Sequence, residues 1–523
     1  MGEVGIKFGA GIMVNIISEN AEELQQKRVR VEYAKAPRIL VRRIHISNFK
    51  SIKNLDLDLM PGINVLVGKN ASGKSNILEA IYFMYKAFVE AAEKVPYKPH
   101  IPNYWSPLDV IYGKDPNLPV EMGLVFDYYW PVHEKESWYR ATIGFEAKLV
   151  YDRTLDTLLP VQYKFTINNV AMYVDFEGIR VTVSKEFYEK VKQIFPIVMK
   201  EMKGEEEMLE RLNRLFKLLE LFKSEKNGFF SYIARWRRQP PKVLTLGAID
   251  ALLLGIIREI NLYNLAIAME YIATPNIEDK LVAIRPIFIE EVEKPRGAPL
   301  SRYRYILLRS PPSFSRLPSI VVEVLRNFIL LKHPDIGVLS EPVMFLGNDR
   351  LDVRARNLAE VLLVLSGRLG GFPERVSKAL AELFPDFRLR VETRFGRAVL
   401  IGEISGMELP PSNLPDGFIK LVVLMVAAEL SPTMLLVDEL ENSMHARLLE
   451  YVVDELNRLE IPVVVATHSP VVVDLVSPER ILIVKRDLEK GTVVKVIEDP
   501  KKLSEELRKE DISHSDHIFY GRT

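Results

Sequence analysis

Gly68-Lys69-Asn70-Ala71-Ser72-Gly73-Lys74-Ser75 sets two glycines around a short turn and closes on a lysine followed by a hydroxyl. Those residue types at that spacing suit one task, holding a polyphosphate. Glycines let the backbone wrap an anion, and the N–H groups that open a helix point at it. Lys74 then supplies positive charge for the β- and γ-phosphates, and the Ser75 hydroxyl is placed to ligate Mg²⁺. The chemistry needs a strand before the loop and a helix after it. Residues 63–67 form a short apolar run that reads as a buried strand, and residues 76–88 carry apolar side chains at helical spacing. Gly68 through Ser75, with Asn76 in the opening turn of the helix, are therefore the candidate contacts to ATP.

A second apolar run ends in two carboxylates, Asp438 and Glu439. Ligands of open α/β sheets bind at the carboxyl ends of the strands. Asp438 at that edge would hold Mg²⁺ directly or through water, and Glu439 would orient and deprotonate the attacking water. A third run, residues 462–467, ends at His468. A lone histidine is usually a surface or satisfied core group. This one follows the carboxylate strand by one helix-length gap, which places its imidazole to donate to a γ-phosphate oxygen.

Composition bounds the remaining possibilities. The chain has 523 residues, enough for two to four domains, and 70 basic residues balance 70 acidic ones. No bulk field announces a nucleic acid or a membrane, so any basic binding surface is local. The absence of cysteine excludes disulfides, zinc fingers, iron–sulfur clusters and thiol catalysis. Absent cysteine with only five glutamines fits a heat-adapted source. The start of the chain lacks a signal-peptide pattern, and the longest apolar stretches are too short to span a bilayer. The expected location is cytoplasmic, with no membrane partner.

Along the chain, residues 1–40 read as an N-terminal extension and 41–184 as the first half of an α/β ATPase head. Period-two alternation predicts strands over 41–47 and 55–59, with further β-like runs over 142–151 and 163–173. The pattern over 185–274 turns helical, and 185–345 reads as an inserted helical arm with a Pro-rich connector. Helices are expected near 319–332, 355–367 and 373–384, then a hairpin over 387–403 turning at residues 394–397. The second half of the head is expected over 346–523.

Taken together these motifs resemble ABC-type ATPases of the RecF/SMC-like branch, in particular the OLD-like small ATPases. The likeness rests on residues 44–52 and 62–76, on Leu435-Leu436-Val437-Asp438-Glu439 and the residues up to His445, and on 466–470. It implies a mixed α/β lobe beside a helical lobe, and a homodimer of heads closed around two ATPs. It assigns Lys74, Ser75, Asp438, Glu439 and His468 the roles derived above. His445 falls where the family places interface residues, and equally suits a solvent-facing position. Gly417 matches the signature loop that meets the partner's phosphate, but Pro415 stands where that loop has a serine, with Ser412 the nearby substitute. No glutamine occurs between Asn76 and residue 161, so the family's Q-loop residue has no counterpart there. Both departures point to slow or partner-stimulated hydrolysis. The gap of 364 residues from Lys74 to Asp438 is longer than in transporter subunits and shorter than in SMC proteins with long coiled-coil arms.

What the ATPase acts on is written less plainly. Arg235-Trp236-Arg237-Arg238 is the densest basic-aromatic cluster; it suits either DNA phosphates and bases or a solvated cap. His514 and His517 have no carboxylate or thiol cluster to complete a metal site. With 55 residues following His468, a nuclease domain of the kind found in OLD relatives is not expected. Two roles follow: a DNA-associated clamp in repair, chromosome maintenance or anti-phage defence, or a regulatory subunit gating a separate nuclease or other effector.

Overall fold

The computed structural model describes residues 38–93, 106–131, 138–167, 170–186, 229–235, 317–332, 341–510 and 512–520, with scattered positions near them and between 188 and 224. One fifteen-stranded mixed sheet runs through the molecule. Its chemical half is parallel: Phe328–Lys332, Met434–Asp438, Pro462–Thr467, Gly62–Val67 and Ile481–Asp487 lie side by side in that order. The three central strands are buried at every position, as parallel strands covered on both faces are. Alternate residues feed opposite cores. Leu66, Leu436 and Val464 pack with the Lys74–Tyr85 helix, while Val65, Val437 and Val465 pack with the helices Asp416–Glu429 and Ala446–Asn457. Asn64 interrupts the apolar run but stays satisfied, donating to the carbonyls of Met60 at 2.8 Å and Gly62 at 3.0 Å.

Beyond Ile481–Asp487 the sheet turns antiparallel through Gly491–Val496, Ile52–Asp58, Arg38–Phe49, Val120–Pro131, Trp138–Asp152, Thr157–Ile167, Val170–Asp175, Gly178–Ser184 and Phe229–Arg235, ending at the two-residue edge Lys223–Ser224. A smaller sheet is built on the Phe387–Arg394 and Arg397–Ile404 hairpin. It braces the Asp416–Glu429 helix, with the Phe387 and Phe418 rings 4.2 Å apart at their centroids.

The expected strands over 41–47 and 55–59, the 387–403 hairpin and the helices near 355–367 and 373–384 all have counterparts. Two regions differ. The stretch expected as one helix over 319–332 is a helix, Leu317–Arg326, that stops at Asn327 and continues as the strand Phe328–Lys332. Phe328, Ile329, Leu330 and Leu331 are apolar to both sides, and they fill the slot beside Met434–Asp438. Within the stretch read as a helical arm, Phe229–Arg235 is a strand paired with Gly178–Ser184. Its aromatic and β-branched residues favour that state. The remainder of the expected arm, and residues 1–37, lie largely outside the described residues.

Asp127 pins the junction of three antiparallel strands from a fully buried position. Its carboxylate accepts from Arg42 at 2.8 Å, Arg140 at 3.0 Å and Thr142 at 3.1 Å. Burial pushes this carboxyl up, but the bonds from Arg42, Arg140 and Thr142 outweigh it and hold it below its ordinary 3.8. A depressed carboxyl contributes stability that is full above the ordinary value and is lost as pH falls through the folded one. We expect Asp127→Asn to lower stability at pH 7 by about 1–3 kcal/mol, the two arginines being partly exposed. Urea melts at pH 7 and pH 3 check this: the deficit of the variant should shrink at the lower pH.

Candidate nucleotide and catalytic site

The loop at residues 68–75 leaves the carboxyl end of Gly62–Val67 and enters the helix Lys74–Tyr85. Its two glycines are required by contact. A Cβ on Gly68 would stand 2.2 Å from the Val484 carbonyl oxygen, and one on Gly73 would stand 2.2 Å from Thr492 Oγ1. Gly73 also has φ +110°, which L side chains rarely adopt. Lys69, Asn70 and Ala71 are exposed on the rim of the loop. Lys74 is buried, and its ammonium folds back over the loop to the carbonyls of Gly68 at 2.8 Å and Lys69 at 3.3 Å. Burial lowers its pKa; Asp438, Glu441 and Glu439 work against that shift.

Behind the loop runs a directed chain of hydrogen bonds. The Asn76 side-chain amide donates to Ser51 Oγ at 2.7 Å, and Ser51 and Thr492 hydroxyls meet at 2.7 Å. Thr492 Oγ1 in turn donates to the Ser72 carbonyl at 3.2 Å. Thr492 spends its one proton on Ser72, so the Ser51 hydroxyl donates to Thr492. The side chain of Asn76 thus supports the back of the loop, whereas the sequence pattern grouped it with the ATP contacts. Ser72 is buried too.

The other site residues arrive from two neighbouring strand ends. Ser75 Oγ donates to Asp438 Oδ1 at 3.2 Å. Two hard oxygens at that separation suit adjacent corners of a Mg²⁺ octahedron, whose cis edge is about 3 Å; Ser75 and Asp438 therefore fit the ion that the loop implies. Glu439 follows at φ +53°, its N–H donating to the Ala466 carbonyl at 2.9 Å and its carboxylate accepting from the Asn442 side chain. Glu441 bridges to the next strand, taking the Thr467 hydroxyl and the His468 N–H, both at 2.7 Å. Burial and the nearby Lys74 lower the His468 pKa, so its imidazole is neutral near pH 7 and offers one N–H.

Gly417 lies in the first turn of Asp416–Glu429, capped by Pro415 without a side-chain bond. A Cβ on Gly417 would stand 2.6 Å from the Ser443 carbonyl of the same chain, so its smallness already serves packing within one subunit. Ser412 is exposed and donates to Asn413 at 3.4 Å. His445 caps the helix Ala446–Asn457 through Nδ1, its ring exposed. Arg235 ends its strand opposite Gly178, while Trp236, Arg237 and Arg238 lie outside the described residues.

Several supporting residues escaped the sequence pattern. Thr492 and Ser51 are distant in sequence from the loop they hold. Lys332 ends the strand beside Met434–Asp438, in register with Asp438, and with Lys50 it pairs Glu79, one turn past Ser75. Lys420 is a buried ammonium within a helix of apolar residues, which was a readable signal. Burial pulls it down to about 8, with Glu441 and Glu439 opposing.

Comparison with known proteins gives two family matches. The family described as "AAA ATPase domain" matches residues 40–232, and "AAA domain, putative AbiEii toxin, Type IV TA system" matches 272–474. Sequence similar to these domain families thus lies in both halves of the chain. Among curated proteins, the DNA replication and repair protein RecF of Lactobacillus acidophilus is 54% identical over 39 residues, covering 8% of this chain and 10% of that protein. RecF of Enterobacter sp. (strain 638) is 58% identical over 40 residues, covering 8% of this chain and 11% of that protein. The chain therefore spans about a tenth of the length of the curated relatives it matches. The Smc head domain of Pyrococcus furiosus superposes with a TM-score of 0.38 at 13% identity, covering 90% of this chain and 100% of that one. The SMC head domain of Thermotoga maritima gives 0.35 at 12%, covering 88% and 100%.

The hydrogen-bond chain makes a testable demand. Thr492→Val keeps the volume but removes the hydroxyl between Ser51 and Ser72, leaving buried polar groups unmet. We expect a loss of about 1–2 kcal/mol in stability, with weaker ATP binding. Thermal melts and calorimetric titration of ATP measure both, and wild-type affinity in the variant would remove Thr492 from the support of the loop.

Proposed function

We propose that this chain binds ATP with Mg²⁺, hydrolyses it, and works as a homodimer of heads closed around two nucleotides. The observation that carries the reading is the convergence of Lys74, Ser75, Asp438, Glu439 and His468 at one edge of the parallel strands. Ser75 and Asp438 would hold Mg²⁺, which when bound neutralises phosphate charge. Lys74 places its ammonium against the β- and γ-phosphates. Glu439 accepts a proton from the water that attacks the γ-phosphorus, as the bond to the ADP oxygen breaks. Neutral His468 donates its N–H to a γ-phosphate oxygen and orients that group. Gly417 starts a helix whose N-terminal N–H groups face the partner's phosphates in the closed dimer. Pro415 offers no hydroxyl there, which favours slow or partner-stimulated turnover.

For the cellular role we favour a DNA-associated clamp; the RecF proteins that share a short stretch with this chain act in DNA replication and repair. Arg235, Trp236, Arg237 and Arg238 are the candidate DNA contacts. The alternative is a regulatory ATPase that gates a separate effector, supported by the family match over 272–474, whose description names a toxin.

Lys74→Ala should abolish ATP binding in calorimetry. Glu439→Gln should bind ATP normally, lower kcat by about 10²–10⁴-fold, and accumulate an ATP-bound dimer by light scattering. Wild-type turnover in Glu439→Gln removes the base.

Replacing Arg235, Arg237 and Arg238 with Ala should weaken duplex DNA binding irrespective of sequence. The salt slope should fall by about 0.9 for each phosphate that the variant no longer neutralises. No binding by wild type in any nucleotide state selects the effector-gating role.

A further inference from the structure

Lys420 sits in the second turn of the helix Asp416–Glu429, between Ile419 and Leu421, and is itself buried. An ammonium in such surroundings is costly unless its protons are bonded. Its Nζ donates to the Glu439 carbonyl and to the Asn442 carbonyl, each at 2.8 Å. Those two oxygens bracket the turn that carries the base. The turn is otherwise closed at its start by one longer bond, Asn442 N–H to the Glu439 carbonyl at 3.3 Å. Glu439 holds a left-handed backbone, which persists only where surrounding contacts enforce it. At the far end of the turn, the Asn442 side chain fixes the Glu439 carboxylate. The same helix presses on the turn a second time, where Gly417 meets the Ser443 carbonyl.

We propose that Lys420 is a positioning residue for Glu439, tying the helix that begins near Gly417 to the turn that presents the base. The inference rests on the ATPase reading above. Lys420 acts through the backbone of that turn and so sets where the carboxylate of Glu439 stands.

The test uses the full-length protein and ATP. Lys420→Met keeps the stem and removes the donors, while Lys420→Gln keeps two N–H groups. We expect Lys420→Met to bind ATP within about twofold of wild type and to lose kcat by about tenfold or more. Lys420→Gln should fall between the two. In single-turnover hydrolysis, Lys420→Met should cause no further loss in a Glu439→Gln background, because the two residues act through one carboxylate. A merely space-filling role predicts the reverse order, with Met equal to or better than Gln in this apolar setting.

Unchanged kcat in Lys420→Met overturns the proposal. So does an equal loss in the presence and absence of Glu439, or a fall in ATP affinity as large as the fall in kcat. If Lys420→Met does not fold, Lys420→Gln decides alone: a kcat loss at unchanged affinity supports the tie, and wild-type kcat overturns it. Wild-type turnover in Glu439→Gln by itself is a different failure, that of the base assignment, and the proposal falls with it.

Discussion

The whole site depends on how the phosphate loop is backed. A loop that exposes its N–H groups to an anion cannot bond them to itself, so its shape must be imposed from behind. Here Thr492 does so. It comes from a hairpin 441 residues away from Ser51, yet joins Ser51 to the Ser72 carbonyl in one directed chain. Gly73 lets that contact form, since a side chain there would collide with Thr492. The shape of the loop is thus held in part by the hairpin that carries Thr492.

A second constraint is electrostatic. Asp438, Glu439 and Glu441 crowd one edge, and Lys74 and Lys420 both lie within reach of their charge. Each ammonium is held by two backbone carbonyls. The carboxylates are apportioned by geometry: Asp438 to Ser75, Glu441 to the backbone and hydroxyl of the neighbouring strand, Glu439 to Asn442. Of these three, Glu439 alone combines a left-handed backbone with partial exposure.

Three strands of the parallel half, Gly62–Val67, Met434–Asp438 and Pro462–Thr467, were legible because they are apolar almost throughout, Asn64 excepted, and each ends at or just before a residue that the motifs single out: Gly68, Asp438, His468. Phe328–Lys332 was not, since a short apolar run next to a true helix carries no period that separates the two states. Phe229–Arg235 was hidden similarly, by helical-looking neighbours and by pairing that depends on Gly178–Ser184. The site shows the same division. Residues with the types and spacing of a phosphate loop declare themselves, whereas Thr492, Ser51 and Glu441 act through ordinary hydrogen bonds that any serine, threonine or glutamate can make. Asn76 illustrates the cost of reading position alone: it sits in the motif, but its amide faces Ser51.

Lys420 shows that the missed class of residue is not decorative. A sequence selected only for a stable helix would place leucine there, because an apolar side chain fills an apolar space without the desolvation that an ammonium suffers. Retaining lysine makes sense where two carbonyls need a donor, and these belong to the turn of Glu439. The turn is irregular from its start, Glu439 leaving the strand at φ +53°. Its Glu439 and Asn442 carbonyls both accept from Lys420 Nζ. The helix Asp416–Glu429 supplies that donor from its second turn, and so ties itself to the turn of Glu439.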